Sequence, residues 1–113
     1  GGNDASLGSR FPPGFVDHLA QGPLRDGAVA FDRLARELEV AGGVAQCTTA
    51  CRSLLSMERA ASHLCAMAAA EHQENLCYLV TSRVRAARAK VRASCGTCPG
   101  GPTVDPDAPI KSE

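Results

Sequence analysis

Apolar residues recur at helical spacing in the first half of the chain. The stripe consists of Ala28, Phe31, Leu34, Ala35 and Leu38. This period predicts an amphipathic helix, which we expect to run from about Asp26, as the N-cap, to Val40. Gly42 and Gly43 follow, and glycine often ends a helix because it accepts the left-handed conformation.

Two further segments carry the same kind of stripe. Residues 44–70 contain neither proline nor glycine, and one face carries Cys47, Cys51, Leu54, Leu55, Ala61 and Cys65, interrupted by Glu58 and Ser62. In residues 74–94 the stripe consists of Leu76, Cys77, Val80, Val84, Ala87 and Val91, and Cys95 follows. We expect a helix in each segment, and Gly96 with Pro99 should stop the second one.

The link between these two segments, residues 70–75, contains no strong helix breaker. One continuous helix over residues 44–94 is therefore the alternative to a hairpin. A turn is favoured because Glu71 and Glu74 would then lie at a helix amino end, and the arginines of residues 83–92 nearer its carboxyl end. This is the arrangement that the helix dipole prefers.

The chain's six cysteines fit an antiparallel hairpin. Facing residues of such a hairpin share a midpoint, and the pairs Cys47–Cys98, Cys51–Cys95 and Cys65–Cys77 are all centred within residues 70–75. We therefore predict these three nested disulfides, which would staple both ends of the hairpin. Because Cys47 and Cys51 share one helix face, the exchanged outer pairing, Cys47–Cys95 with Cys51–Cys98, remains open.

The four outer cysteines also fit a second chemistry. Cys47, Cys51, Cys95 and Cys98 could supply four thiolates to a structural zinc ion, which would indicate a reduced, intracellular setting. This zinc site is the alternative to the outer disulfides, and the primary prediction includes no metal and no cofactor. A redox role for Cys95-Gly-Thr-Cys98 is not favoured, because a thioredoxin-like motif follows a strand and opens a helix.

Glycine and proline are concentrated at both ends of the chain. Their density predicts a flexible N-terminal arm over residues 1–25. The residues that could dock this arm on the helices are Phe11, Phe15, Val16 and Leu19. Four prolines predict a linker or tail over residues 99–113. The domain itself is expected over residues 26–98, as a small all-α, three-helix unit with a disulfide-stapled antiparallel hairpin.

Five basic residues lie close together in the last predicted helix: Arg83, Arg85, Arg88, Lys90 and Arg92. They form a candidate binding patch for an acidic glycan or an acidic protein. The alternative is a solvated helix face, partly matched by Asp32, Glu37 and Glu39 of the first helix. Nucleic acid is not expected as a partner, because 12 basic residues balance 12 acidic ones and no aromatic residue lies among the basic positions for base stacking.

No residue pattern indicates catalysis, and we predict that the protein is not an enzyme. Disulfide-compatible spacing and neutral charge predict an extracellular or lumenal module that binds another protein, within a larger secreted or membrane-anchored protein. No apolar run is long enough to span a membrane. The alternatives are an intracellular zinc-stabilised adaptor and a long coiled-coil scaffold with incidental cysteines.

Overall fold

The computed structural model describes residues 11–43 and 46–110. Within these two ranges it contains one 3₁₀ turn, Val16–His18, and three α-helices, and it contains no strand. The helices are α1 (Pro23–Gly43), α2 (Cys47–Ala70) and α3 (Glu74–Cys95). The predicted all-α, three-helix fold is confirmed. The first ten residues of the predicted arm and the last three of the predicted tail lie outside the described ranges.

Helix α1 begins one turn earlier than the sequence pattern indicated. Pro23 is its first residue, a position that suits proline because the fixed φ is helical and the missing N–H has no partner there. Asp26 lies inside the first turn, and its N–H bonds to the carbonyl of Gly22 at 3.0 Å. The predicted Asp26 N-cap is therefore wrong. At the other end α1 continues past Val40 to Gly43.

Helices α2 and α3 form the predicted antiparallel hairpin. The turn consists of residues 71–73, in which His72 has a positive φ of 58°. The Gln73 N–H bonds back to the Ala68 carbonyl at 2.8 Å, and the Glu71 N–H also bonds to carbonyls of the last turn of α2. The single continuous helix is thereby excluded.

A core of apolar side chains joins α1 to both helices of the hairpin. Its largest fully buried members are Phe31, Leu38, Leu54, Met57, Leu64, Leu76, Val80, Val84 and Val91. Both ends of the described chain also pack on this core: Leu19 is buried, and the partly buried residues are Phe11, Phe15, Val16, Val104 and Ile110. Over the described residues, the arm and the tail are therefore attached to the helices.

Candidate binding surfaces

The disulfides fasten both ends of the hairpin, but the predicted outer pairing is wrong. Cys47 is bonded to Cys95 and Cys51 to Cys98, which is the exchanged alternative, while Cys65–Cys77 forms as predicted. Facing residues share a midpoint only if residues 95–98 continue the helix. The structure instead ends α3 at Cys95, and Gly96, with a φ of 82°, redirects the chain. Cys98 then reaches the sulfur of Cys51, which lies one helical turn after Cys47 in α2.

All six cysteines are used in these bonds, and none is free. Cys47, Cys51, Cys95 and Cys98 therefore present no thiolates for the alternative zinc site, and the described residues contain no cluster of three or more His, Cys, Asp or Glu that could hold a metal ion. Three intramolecular disulfides are typical of proteins in oxidising extracellular or secretory settings.

The five basic residues of the predicted patch do not share one exposed surface. Arg83 and Arg88 are buried, with only 2% and 1% of their surface exposed, because each pairs with a carboxylate of another helix. Arg83 lies 2.9 Å from Asp32, as one alternative partly anticipated, and Arg88 lies 3.2 Å from Glu58. The exposed residues of the five are Arg85, Lys90 and Arg92. Two of the five residues of the predicted patch, Arg83 and Arg88, are thus structural contacts between helices.

An open groove, which we call the arm groove, lies between the N-terminal arm, α1 and α3. Its volume is about 940 Å³. The arm contributes Phe11, Pro12, Pro13, Gly14, Val16 and Asp17, α1 contributes Asp32, Arg36 and Glu39, and α3 contributes Leu79 and Arg83. This groove was not predicted from the sequence. Its shape depends on how the arm folds back over two helices that are distant from each other in sequence.

Arg83 is the unusual side chain of the arm groove. Its guanidinium carbon lies against two neighbouring rings, 4.7 Å from the Phe11 centroid and 5.3 Å from the Phe31 centroid. Nη1 pairs with the Asp32 carboxylate at 2.9 Å, whereas Nε has no hydrogen-bond partner among the described residues. Burial lowers the pKa of Arg83, and the Asp32 carboxylate acts in the opposite direction. Since an arginine stays protonated at physiological pH, the groove holds a buried cation with an unused donor at Nε.

The remaining charges of the arm groove are mixed. Asp32 also pairs with Arg36 at 2.8 Å, and Asp17 pairs with Arg25 at 3.3 Å. Counting the lining residues, two guanidinium groups face three carboxylates. This balance does not favour a polyanion such as an acidic glycan. It suits a ligand that carries both hydrogen-bond acceptors and donors.

A second surface is covered by residues 102–110, which we call the strap. Arg85 and Arg88 hold the strap through hydrogen bonds to its main-chain carbonyls, and Val104 and Ile110 pack against the core. We call the surface formed by Glu58, Arg85 and Arg88 the strap groove. The proline content of this segment predicted a linker or tail, and nothing in the sequence indicated that Arg85 and Arg88 would bind it.

No helix in the described part of the chain has the length and apolarity that crossing a membrane requires. No protein-family model matches the sequence, and neither the curated proteins nor the solved structures include a significantly similar protein.

Proposed function

We propose that this protein is a non-catalytic recognition module of an extracellular or lumenal compartment, which binds an extended segment of another protein in the arm groove. The observation that carries this proposal is the buried guanidinium of Arg83, whose Nε donor has no described partner, in the wall of an open groove. An unsatisfied buried donor costs about 1–3 kcal/mol, and an acceptor on a ligand would recover that free energy on binding.

The chemistry of the arm groove favours a peptide main chain as the ligand. A main chain offers carbonyl acceptors to Arg83 and N–H donors to the carboxylates of Asp32 and Glu39. Apolar walls, such as those formed by Pro13 and Leu79, accept side chains, and ligand sites are commonly apolar with a few placed polar groups. Because the Phe11 ring lies over the guanidinium, the ligand carbonyl reaches Nε by displacing this ring.

The proposed compartment rests on the disulfides. Three bonds that use every cysteine form readily in the secretory pathway and outside the cell, whereas cytosolic thiols are kept reduced. We expect that protein taken from its natural source, with free thiols alkylated before lysis, carries no alkyl group and has a mass about 6 Da below the reduced formula. Alkylation of the outer four cysteines in that material would contradict the proposed compartment and would favour the alternative, a structural zinc site in a reducing compartment.

The proposed binding site can be tested by selecting displayed peptides on the oxidised full-length protein. We expect enriched peptides whose affinity falls at least tenfold, about 1.4 kcal/mol, with Leu79→Glu, which places a charge on the groove wall. Arg83→Lys should have a similar effect, because it keeps the charge opposite Asp32 but moves the donors. Fluorescence anisotropy with one labelled peptide measures both changes.

The matched control is Val40→Glu, which introduces the same charge at a residue of α1 that is 72% exposed and does not line the arm groove. It should leave the affinity unchanged. Each variant must retain three disulfides by mass and the helical circular dichroism of the native protein. Selected peptides that bind Leu79→Glu and Arg83→Lys as tightly as the native protein would show that the arm groove is not the site.

A further inference from the structure

The hydrogen bonds from the helices to the strap all go to its backbone. Arg85 Nη1 donates to the carbonyls of Pro106, at 2.8 Å, and Ala108, at 3.2 Å. Arg88 donates to Ala108 at 2.6 Å, Pro109 at 3.3 Å and Asp105 at 3.4 Å. All of these acceptors are main-chain carbonyls, which every peptide possesses. The two arginines therefore recognise a backbone shape and not particular side chains of the strap.

The strap groove presents donors, and a proline-containing strand is suited to it. Prolines 102, 106 and 109 have no N–H group, so those positions offer a carbonyl without a donor that would need its own partner. Hydrogen bonds within the strap fix the carbonyl directions: Ala108 N–H bonds to the Asp105 carbonyl at 3.1 Å, and Asp107 N–H to the Asp105 carboxylate at 3.0 Å. The strap thus has the form of a short, pre-shaped ligand.

The connection of the strap to the helices allows it to leave without disturbing the disulfides. It follows Cys98 through Pro99, Gly100 and Gly101, and both glycines have positive φ, 77° and 90°, a conformation that favours glycine. Its apolar anchors, Val104 and Ile110, are only partly buried. Arg85 is an exposed residue, and surface contacts of this kind are individually weak.

We infer that the strap groove is a binding site for extended, proline-containing peptide segments, and that the strap is its resident occupant. A segment of the same chemistry from a partner protein takes the place of the strap, with its carbonyls on Arg85 and Arg88 and two apolar side chains where Val104 and Ile110 pack. This site shares no residue with the arm groove and does not depend on the proposed function of that groove. The strap keeps the site closed until a competing segment displaces it.

The test uses the full-length protein and a fluorescent peptide that copies residues 102–110. In the double variant Val104→Asp/Ile110→Asp the groove is intact but its own strap is weakened. We expect this variant to bind the peptide at least tenfold more tightly than the native protein, in which the resident strap competes. Adding Arg85→Ala should weaken binding to the double variant at least tenfold, because the described hydrogen bonds of the Arg85 side chain both go to the strap.

The matched control is Arg92→Ala in the same background, since Arg92 is an exposed residue of α3 without a described contact, and it should leave peptide binding unchanged. Release of the strap is verified by faster exchange of the Ala108 amide hydrogen. If that amide stays protected, a variant with residues 102–110 replaced by glycine and serine serves instead. Equal peptide affinity of the native and released proteins, or no effect of Arg85→Ala, would overturn the inference.

Discussion

Removing both outer disulfides is expected to destabilise the protein by about 6 kcal/mol, more than the sum of removing each alone. The bonds Cys47–Cys95 and Cys51–Cys98 span 48 and 47 residues, so they close nearly the same loop. While one bond remains, loss of the other opens only the short ring that the two bonds close between them. This loss costs about 2 kcal/mol of stability in the chain-entropy model. Loss of the second then opens the long loop, at a cost of about 4 kcal/mol.

The measurement is a double-mutant cycle in urea under non-reducing conditions, with each pair of cysteines replaced by alanine. We expect a coupling of about 2 kcal/mol between the two bonds. Since small proteins have total stabilities of about 5–15 kcal/mol, the quadruple variant should retain little stability near room temperature, so all four proteins are compared in the presence of a stabilising osmolyte. Simple additivity would contradict the shared-loop account and indicate that each bond stabilises its own surroundings in the native state.

The helices and the hairpin were predictable because they depend on local patterns. Apolar spacing, the two glycines at the end of α1 and the centring of the cysteine pairs on residues 70–75 are all visible in the sequence. The outer disulfides were predicted in the wrong pairing, because the pairing depends on the three residues after α3. Gly96, with its positive φ, ends the helix there, and a helical midpoint rule does not include this reversal.

The two surfaces were not predictable for a different reason. Arg83 and Arg88 stand beside the apolar stripe of α3, where a long cationic side chain ordinarily extends into solvent. Whether it is buried depends on a carboxylate of another helix, and Asp32 and Glu58 are distant in sequence. Glu58 was visible only as an interruption of the α2 stripe. Interruptions of this kind are a usable signal, since a charged residue in an apolar face requires a partner.

Replacing Arg88 should be among the most destabilising changes at a single charged side chain of the protein. Arg88→Met keeps most of the volume but leaves the Glu58 carboxylate, whose side chain is 19% exposed, without its partner. Breaking a buried ion pair on one side costs about 3–5 kcal/mol. We expect a loss near the lower end of that range in urea unfolding, because Glu58 retains some access to water. Arg92→Ala, the exposed control, should cause no measurable change.

The double variant Arg88→Met/Glu58→Leu separates the two roles of Arg88. Replacing both members of a buried pair with apolar residues is often neutral, so the cost of the unpaired carboxylate should disappear. The strap carbonyls of Asp105, Ala108 and Pro109 would still lose the Arg88 donors, although Ala108 keeps its bond from Arg85 and Asp105 its bond from the Ala108 amide. We therefore expect a residual loss of about 1–2 kcal/mol, together with faster hydrogen exchange of the Ala108 amide. Full recovery of stability with an undisturbed Ala108 would mean that Arg88 holds Glu58 alone and that the strap is fastened by Arg85 and its apolar anchors.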